Sequence, residues 1–188
     1  RAKAAKTIIQ SKLDNARAES IRRAAAVRLA RADTSNKTAS VGWPGDIPAD
    51  VRQREERVLH ADLTQLDATL ADFAAKLKVQ QSLKDKYAAN IAAQKTLIES
   101  RTKRAAMHEK LAEMGRDSRA TVLQALEPLR QDQVTLATYE GSLEEAKAAI
   151  PVVKDEITQT RAEVVAANTD KAAAADRQIQ QAGNAAHG

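Results

Sequence analysis

An apolar residue returns at every seventh position between residues 122 and 164, without a miss. A seven-residue repeat sets these side chains along one stripe of an α-helix, and a stripe this regular is typical of coiled coils. The stripe beside it is weaker, because it includes Asp132 and Thr160 among small residues. We therefore predict a long helix that packs through a narrow interface. The repeat comprises Val122, Leu129, Leu136, Leu143, Ile150, Ile157 and Val164.

The preceding segment carries a matching repeat with one polar interruption, at Lys84. The pattern stops at Gly115, and glycine is the residue that most readily takes the left-handed conformation in which helices end. Asp117 or Ser118 is a candidate N-cap for the next helix. These features predict a turn near 115–118. The members of this second repeat are Leu63, Leu70, Leu77, Lys84, Ile91, Ile98 and Ala105.

The two segments, 51–114 and 118–182, are nearly equal in length, at about 96 Å each. Because only a short turn separates them, we predict an all-α fold built on a long antiparallel coiled-coil hairpin. Opposing residue numbers then sum to about 232, which places Pro151 opposite Gln81. An interior proline removes a backbone hydrogen bond and clashes with the preceding turn, so we expect a bend at Pro151 and a milder one at Pro128.

A basic helix over residues 1–33 and a loop over 34–50 precede the hairpin, and a tail over 183–188 follows it. The loop gathers turn-forming residues, and Trp43 and Ile47 are its expected packing anchors. The sequence leaves open whether the first helix folds back or extends the hairpin. Since the chain opens on arginine, we expect one domain of a longer protein. The predicted buried face of the first helix is Ile9, Leu13, Ala16, Ile21, Ala24, Val27 and Ala30.

The composition argues against an enzyme. Alanine supplies 40 of the 188 residues and aromatic side chains only four, so a thick core with an enclosed pocket is not expected. His60, His108 and His187 are far apart along a hairpin and have no second ligand at metal-binding spacing. No phosphate-binding loop occurs. We therefore expect no catalytic residue, metal or cofactor, and no membrane span within this fragment.

Positive charge is concentrated at the start of the chain. Residues 1–32 hold nine lysines and arginines against two acidic residues, which gives this segment a charge of +7. Because the whole chain carries +5, the remaining residues carry −2 together. Such a helix is also compatible with an anionic lipid surface, which is one alternative function. Without aromatic stacking residues or a nucleic-acid module, we expect no nucleic-acid partner.

The order of a first helix, a loop with Trp43-Pro44-Gly45-Asp46-Ile47-Pro48 and two long heptad helices resembles the periplasmic adaptors of bacterial type I secretion systems. These haemolysin-D-like proteins are also called membrane fusion proteins. The likeness is sharpest at the turn, where Leu111-Ala-Glu-Met-Gly115-Arg-Asp-Ser118 resembles the family's Leu-x3-Gly-x2-Ser/Thr motif.

In the family, this motif and an arginine four residues before its leucine dock on a TolC-type outer-membrane channel. The resemblance thus implies a docking tip with Leu111, Gly115 and Ser118. Met107 occupies the position of the expected arginine, and Arg104, one turn earlier, is the candidate substitute.

The resemblance further implies a periplasmic protein anchored to the inner membrane, which bridges an inner-membrane ABC transporter to the channel. Neighbouring protomers would form a ring, six in the expected hexamer, and the domain would catalyse nothing. Two alternatives remain besides the lipid-surface protein: the adaptor of a multidrug efflux pump, and an unrelated coiled-coil scaffold or dimerisation module.

Overall fold

The computed structural model describes residues 1–32 and 41–187. Over these ranges the chain forms three α-helices and no strand, so the predicted all-α fold is confirmed. The helices are α1 (Ala2–Arg31), α2 (Ala49–Glu113) and α3 (Arg119–His187). None of these helices, among the described residues, is both long and apolar enough to cross a membrane. Residue 33, the last of the predicted first helix, and residues 34–40, the first part of the predicted loop, lie outside the described ranges.

Two compact units divide the chain, and α2 and α3 contribute to both. One unit comprises Ala74–Lys154 and holds the turn between α2 and α3. In it the helices pack through the predicted seams: Ile91, Ala105 and Val122 are buried, and Lys84 is exposed where the repeat breaks. The antiparallel coiled-coil hairpin is therefore confirmed for these segments.

Polar contacts fix the register of the hairpin in this unit. The Arg101 guanidinium lies 2.5 Å from the carboxylate of Asp132, and the side-chain amide of Gln94 donates to the Asp132 carbonyl at 2.9 Å. Arg101 is within one residue of the position predicted to oppose Asp132. The register read from equal arm lengths is thus confirmed locally.

The other unit comprises Arg1–Phe73 with Asp155–Gly188, and its described residues form a three-helix bundle. Buried Ala18 packs with Val51, and Ala26 further along packs with Leu59, so α1 runs parallel to α2. Hydrogen bonds to α3 run the other way: Ser20 bonds Asp176 at 2.7 Å and Arg23 bonds Asn168 at 3.0 Å. Helix α1 therefore lies alongside both arms rather than extending one of them.

The described part of the segment before α2, residues 41–48, runs back along α1. Ile47 is buried against Ala18 and Val51, and Trp43 packs on the same cluster while its indole N–H donates to Glu56 at 2.7 Å. Val41, together with Leu29 and Leu63, packs against a second buried cluster, which consists of Ala25, Ala26 and Leu59. The predicted anchors Trp43 and Ile47 are confirmed, and this return path makes α1 and α2 parallel.

The predicted apolar face of α1 was partly wrong. Ala24 is exposed, whereas Ala18, Ala25 and Ala26 are buried. The physical reason is that α1 is surrounded by α2, by α3 and by the segment 41–48. Its buried surface is therefore wider than a single stripe of the helix. Alanine suits such a position because its small side chain lets helix axes approach closely.

A buried ion pair accompanies this alanine packing. Arg22 is 5% exposed and Glu55 is 8% exposed, and their side chains form a direct hydrogen-bonded salt bridge between α1 and α2. Asp62 lies 3.6 Å from the same guanidinium. Arg17 also pairs with Asp46, at 2.7 Å. Part of the positive charge of α1 is therefore neutralised within the fold rather than presented to an anionic surface.

A guanidinium from α3 covers the end of α1. Arg161 donates to the carbonyls of Ala30 and Ala32 at 3.1 and 3.0 Å, and these are among the acceptors that a helix C-terminus leaves without an internal partner. This contact ties the last turn of α1 to α3.

One boundary of α3 differs from the prediction, and both prolines of the hairpin lie inside this helix. We predicted a tail from residue 183, but α3 continues through Gly183 to His187, because Ala182 and Ala185 favour helix and Gly183 keeps a negative φ. Pro128 and Pro151 lie inside α3, which remains helical on both sides of each. The bends expected at the prolines stay predictions.

Replacing Glu55 with Gln is expected to destabilise the bundle by roughly 2 to 4 kcal/mol, because it leaves the buried Arg22 without its closest countercharge. Trp43 is the single tryptophan and contacts this bundle, so its fluorescence during urea unfolding gives the measurement. Asp72→Asn, at an exposed position of α2, is the control and should change stability by less than about 0.5 kcal/mol. Equal effects of the two changes would contradict the importance of the ion pair.

Candidate functional site

The turn between α2 and α3 is closed by backbone geometry that requires glycine. Gly115 has a φ of +69°, and no other residue that the structure describes has a positive φ. Its N–H donates to the Ala112 carbonyl at 3.0 Å, and the Arg116 N–H donates to the Leu111 carbonyl at 2.9 Å. This pair of bonds is a Schellman motif, which satisfies carbonyls at the end of α2.

Ser118 begins α3 as its N-cap. Its hydroxyl accepts a hydrogen bond from the Thr121 N–H at 3.1 Å and lies 2.9 Å from the Thr121 hydroxyl. Of the two predicted caps, the serine makes this contact, while Asp117 accepts from the N–H of Ser118 at 2.8 Å. The roles expected for Gly115 and Ser118 in shaping the turn are thus confirmed.

A histidine–carboxylate pair fastens the turn to α2. The Nδ1 of His108 lies 2.7 Å from Oδ2 of Asp117, and both side chains are half-buried. The hydrogen bond with His108, and then the one from the Ser118 amide, hold the pKa of Asp117 below its ordinary value of 3.8. The turn is therefore held on two sides, by the Ser118 cap and by this pair.

Large apolar side chains are exposed around the turn. Met107 of α2, Met114 just after the end of α2 and Leu123 of α3 each keep 53% of their surface exposed, and Leu111 is half-buried between the methionines in sequence. Met107 and Leu111 are four residues apart and so share one side of α2, and Met114 follows three residues later at the start of the turn. The hairpin seam does not use this side, so it is available for contact with another molecule.

Arg104 lies on the rim of a groove of about 440 Å³ between α2 and α3. Arg101 and His108 line the groove from α2, and Thr121 and Gln124 line it from α3. Leu111 is two turns further along α2 and within about 20° of Arg104 around the helix axis. Met107, at about 60° from Arg104, belongs to the apolar side instead.

The four residues of the predicted tip fall into two groups. Leu111, Gly115 and Ser118 all take part in the turn, since the Leu111 carbonyl and the Gly115 N–H form the backbone bonds that end α2 and Ser118 caps α3. Arg104 lines the groove two turns before Leu111 and makes no contact with these three that the structure records. It faces nearly the same direction as Leu111, so it stays the candidate replacement for the arginine expected at Met107.

Sequence reasoning missed the cross-helix pairs that frame the groove. His108 was considered only as a metal ligand, and the described residues contain no cluster of three or more metal-binding side chains. A signal for the pair Arg101–Asp132 existed, since Asp132 interrupts an apolar seam and therefore needs a cationic partner. The His108–Asp117 pair has no such signal, because it depends on how the turn folds back.

No protein-family model matches the chain, and no curated protein sequence matches it.

Replacing Gly115 with Ala is expected to destabilise the hairpin by about 1 kcal/mol, because an alanine at positive φ brings its Cβ too close to the backbone. No atom lies within 4 Å of the added Cβ, so backbone strain is the whole effect. Gly141→Ala, inside α3 and equally unobstructed, should instead stabilise by about 0.5 to 1 kcal/mol. Urea unfolding followed by circular dichroism measures both. The same sign for the two changes would contradict the left-handed turn.

The lowered pKa of Asp117 predicts an acid-sensitive contribution to the stability of the turn. A carboxyl group with a depressed folded-state pKa stabilises above about pH 4 and loses this effect as the pH falls through the folded-state value. The stability advantage of the parent over Asp117→Asn should therefore shrink as the pH falls below 4 toward pH 2. An advantage that does not change between pH 4 and pH 2 would contradict a folded state that holds Asp117 ionised.

Proposed function

We propose that this chain is the α-helical domain of a periplasmic adaptor in a type I secretion system, and that its turn docks on a TolC-type outer-membrane channel. The observation that carries the proposal is the turn itself. Its backbone is fixed by Gly115 and Ser118, and the exposed side chains of Met107 and Met114 lie on either side of half-buried Leu111 in sequence.

Exposed methionines at a rigid turn favour a contact function. The seam between α2 and α3 is filled by other residues, so removing Met107 or Met114 from solvent would gain apolar contact without disturbing the hairpin. Methionine side chains are flexible and adapt to irregular surfaces, which suits docking on a partner.

The remaining assignments follow from the resemblance and extend the same proposal. The domain would act as a passive strut without catalysis, in the periplasm, as part of a protein anchored to the inner membrane. An ABC transporter would be its inner-membrane partner, and neighbouring protomers, six per ring, would pack side by side. Multivalent display in a ring would strengthen a weak individual tip contact.

The test is binding of the chain to a purified TolC-type channel, with the chain immobilised at high density to reproduce multivalent display. Leu111→Asp is expected to lower binding by tenfold or more, because it places a charge in an apolar contact and loses the buried area. Val134→Asp is the matched control, since Val134 is 60% exposed on α3 away from the turn, and it should bind like the parent.

Circular dichroism should give the same helical content for all three proteins. Failure of the parent to bind, or equal loss with Leu111→Asp and Val134→Asp, would overturn docking through the turn. Assembly of the chain into a stable parallel dimer would then favour a coiled-coil scaffold.

A further inference from the structure

The outer side of α1 carries a line of basic side chains, which we call the basic stripe. Since an α-helix turns by about 100° per residue, its five members all lie within about 40° of the direction of Arg17 around the helix axis. At about 1.5 Å per residue, the stripe extends over about 42 Å of the helix. Its members are Lys3, Lys6, Arg17, Arg28 and Arg31.

The acidic residues of α1 do not interrupt this stripe. The helix contains two, Asp14 and Glu19. Glu19 lies on the opposite side, about 160° from Arg17 around the axis. Asp14 lies closer, at about 60°, but it is buried and accepts a hydrogen bond from the Gln10 amide at 3.0 Å. The outer side of α1 therefore presents one sign of charge along its length.

Most of this charge is not neutralised within the fold. The middle member, Arg17, pairs with Asp46 at 2.7 Å. The other four members are exposed, and among the residues that the structure describes none of them has a carboxylate within ion-pair distance. Asp50 lines the same shallow groove as Lys3 and Lys6 without reaching that distance. Two pairs of uncompensated positive charges therefore lie at the two ends of the stripe.

The side chains between the charges are shorter and mostly uncharged. On the same side of α1, Leu13 is half-buried, and Gln10 and Ala24 are exposed. No aromatic residue occurs in this helix. Because lysine and arginine carry their charge at the end of a long stem, their charged ends would meet an approaching surface first.

We propose that the basic stripe adsorbs the domain on an anionic lipid bilayer. Acidic headgroups attract clustered lysines and arginines without requiring a pocket or a defined hydrogen-bond geometry. A straight stripe can meet a flat surface along its whole length. The proposal does not depend on docking through the turn, because α1 belongs to the other compact unit.

The spacing of the uncompensated charges favours lipid over nucleic acid or an acidic protein. About 33 Å of helix separates Lys6 from Arg28. Lipid headgroups diffuse within the bilayer and can gather at both ends of the stripe, whereas the fixed charges of a nucleic acid or a protein would have to match this spacing. The absence of aromatic residues from α1 also removes the stacking contacts that single-stranded nucleic acids need.

The test is co-sedimentation of the chain with phospholipid vesicles at low salt. One set of vesicles contains phosphatidylcholine alone, and the other contains phosphatidylcholine mixed with the anionic lipid phosphatidylglycerol. The chain is expected to bind the mixed vesicles only, and to be released as salt is raised, because salt screens the attraction.

Paired substitutions locate the binding surface. Arg28→Gln together with Arg31→Gln removes two charges from the stripe and should weaken binding about tenfold or more. The matched control is Lys78→Gln together with Lys95→Gln, which removes two exposed positive charges from α2. The control should weaken binding less than about threefold, because it leaves the stripe intact.

A second stripe variant guards against an effect on folding. Lys3→Gln together with Lys6→Gln changes the other end of the stripe, where both side chains are exposed, and should weaken binding to a similar extent. Circular dichroism should give the same helical content for the parent and all variants. A loss of binding confined to one end would contradict a stripe that acts along its length.

Three results would overturn the lipid proposal: no binding to anionic vesicles at low salt, equal binding to both kinds of vesicle, or equal losses for the stripe and control variants. Tighter binding to duplex DNA than to vesicles, with the same dependence on Arg28 and Arg31, would assign the stripe to nucleic acid instead. Leu111→Asp should bind vesicles like the parent, so this test and the channel-binding test can fail separately.

Discussion

Close packing between small side chains is the constraint on which this structure depends. With 40 alanines and four aromatic residues, the chain cannot enclose a thick core, so it buries surface in thin seams along long helices. In the bundle, the buried alanines of α1 bring its backbone close to α2 and α3. That closeness excludes water from Arg22 and Glu55, which makes their salt bridge a buried one that specifies how α1 docks.

The same constraint shows that the exposed apolar residues around the turn are not part of the folded core. Because the seams are thin, the outer sides of α2 and α3 face water. Polar residues there are not desolvated on folding, and large apolar residues there bury no area in the seam. Exposed Met107 and Met114 therefore have no role in the seam. Their place next to a turn fixed by Gly115 and Ser118 is the observation that supports the proposed docking function.

Features that depend on neighbours in sequence could be predicted from sequence. The heptad seams gave α2 and α3 to within a few residues at their facing ends, and the left-handed Gly115 and the Ser118 cap follow from local backbone chemistry. Of the two ion pairs beside the turn, Arg101–Asp132 had a sequence signal, because Asp132 interrupts an apolar seam, whereas His108–Asp117 had none, because it depends on how the turn folds back.

The direction of α1 was also beyond sequence reasoning. Its alanine-rich surface is compatible with several faces, and the outcome depends on the path of the chain before α2, where Ile47 lies against Ala18. The buried positions of Arg22 and Glu55 have no sequence signal either, since charged residues are usually exposed. Tertiary context decides both.

Site-directed cross-linking tests the central claim, docking through the turn, most directly. The chain has no cysteine, so Met107, Met114, Val79 and Val152 can each be replaced by cysteine and labelled with benzophenone maleimide. These four positions are matched in exposure, from 53% to 55%. On illumination with a TolC-type channel, the account predicts adducts from positions 107 and 114 and few from 79 and 152. Adducts of equal yield from all four positions, or only from 79 and 152, would contradict it.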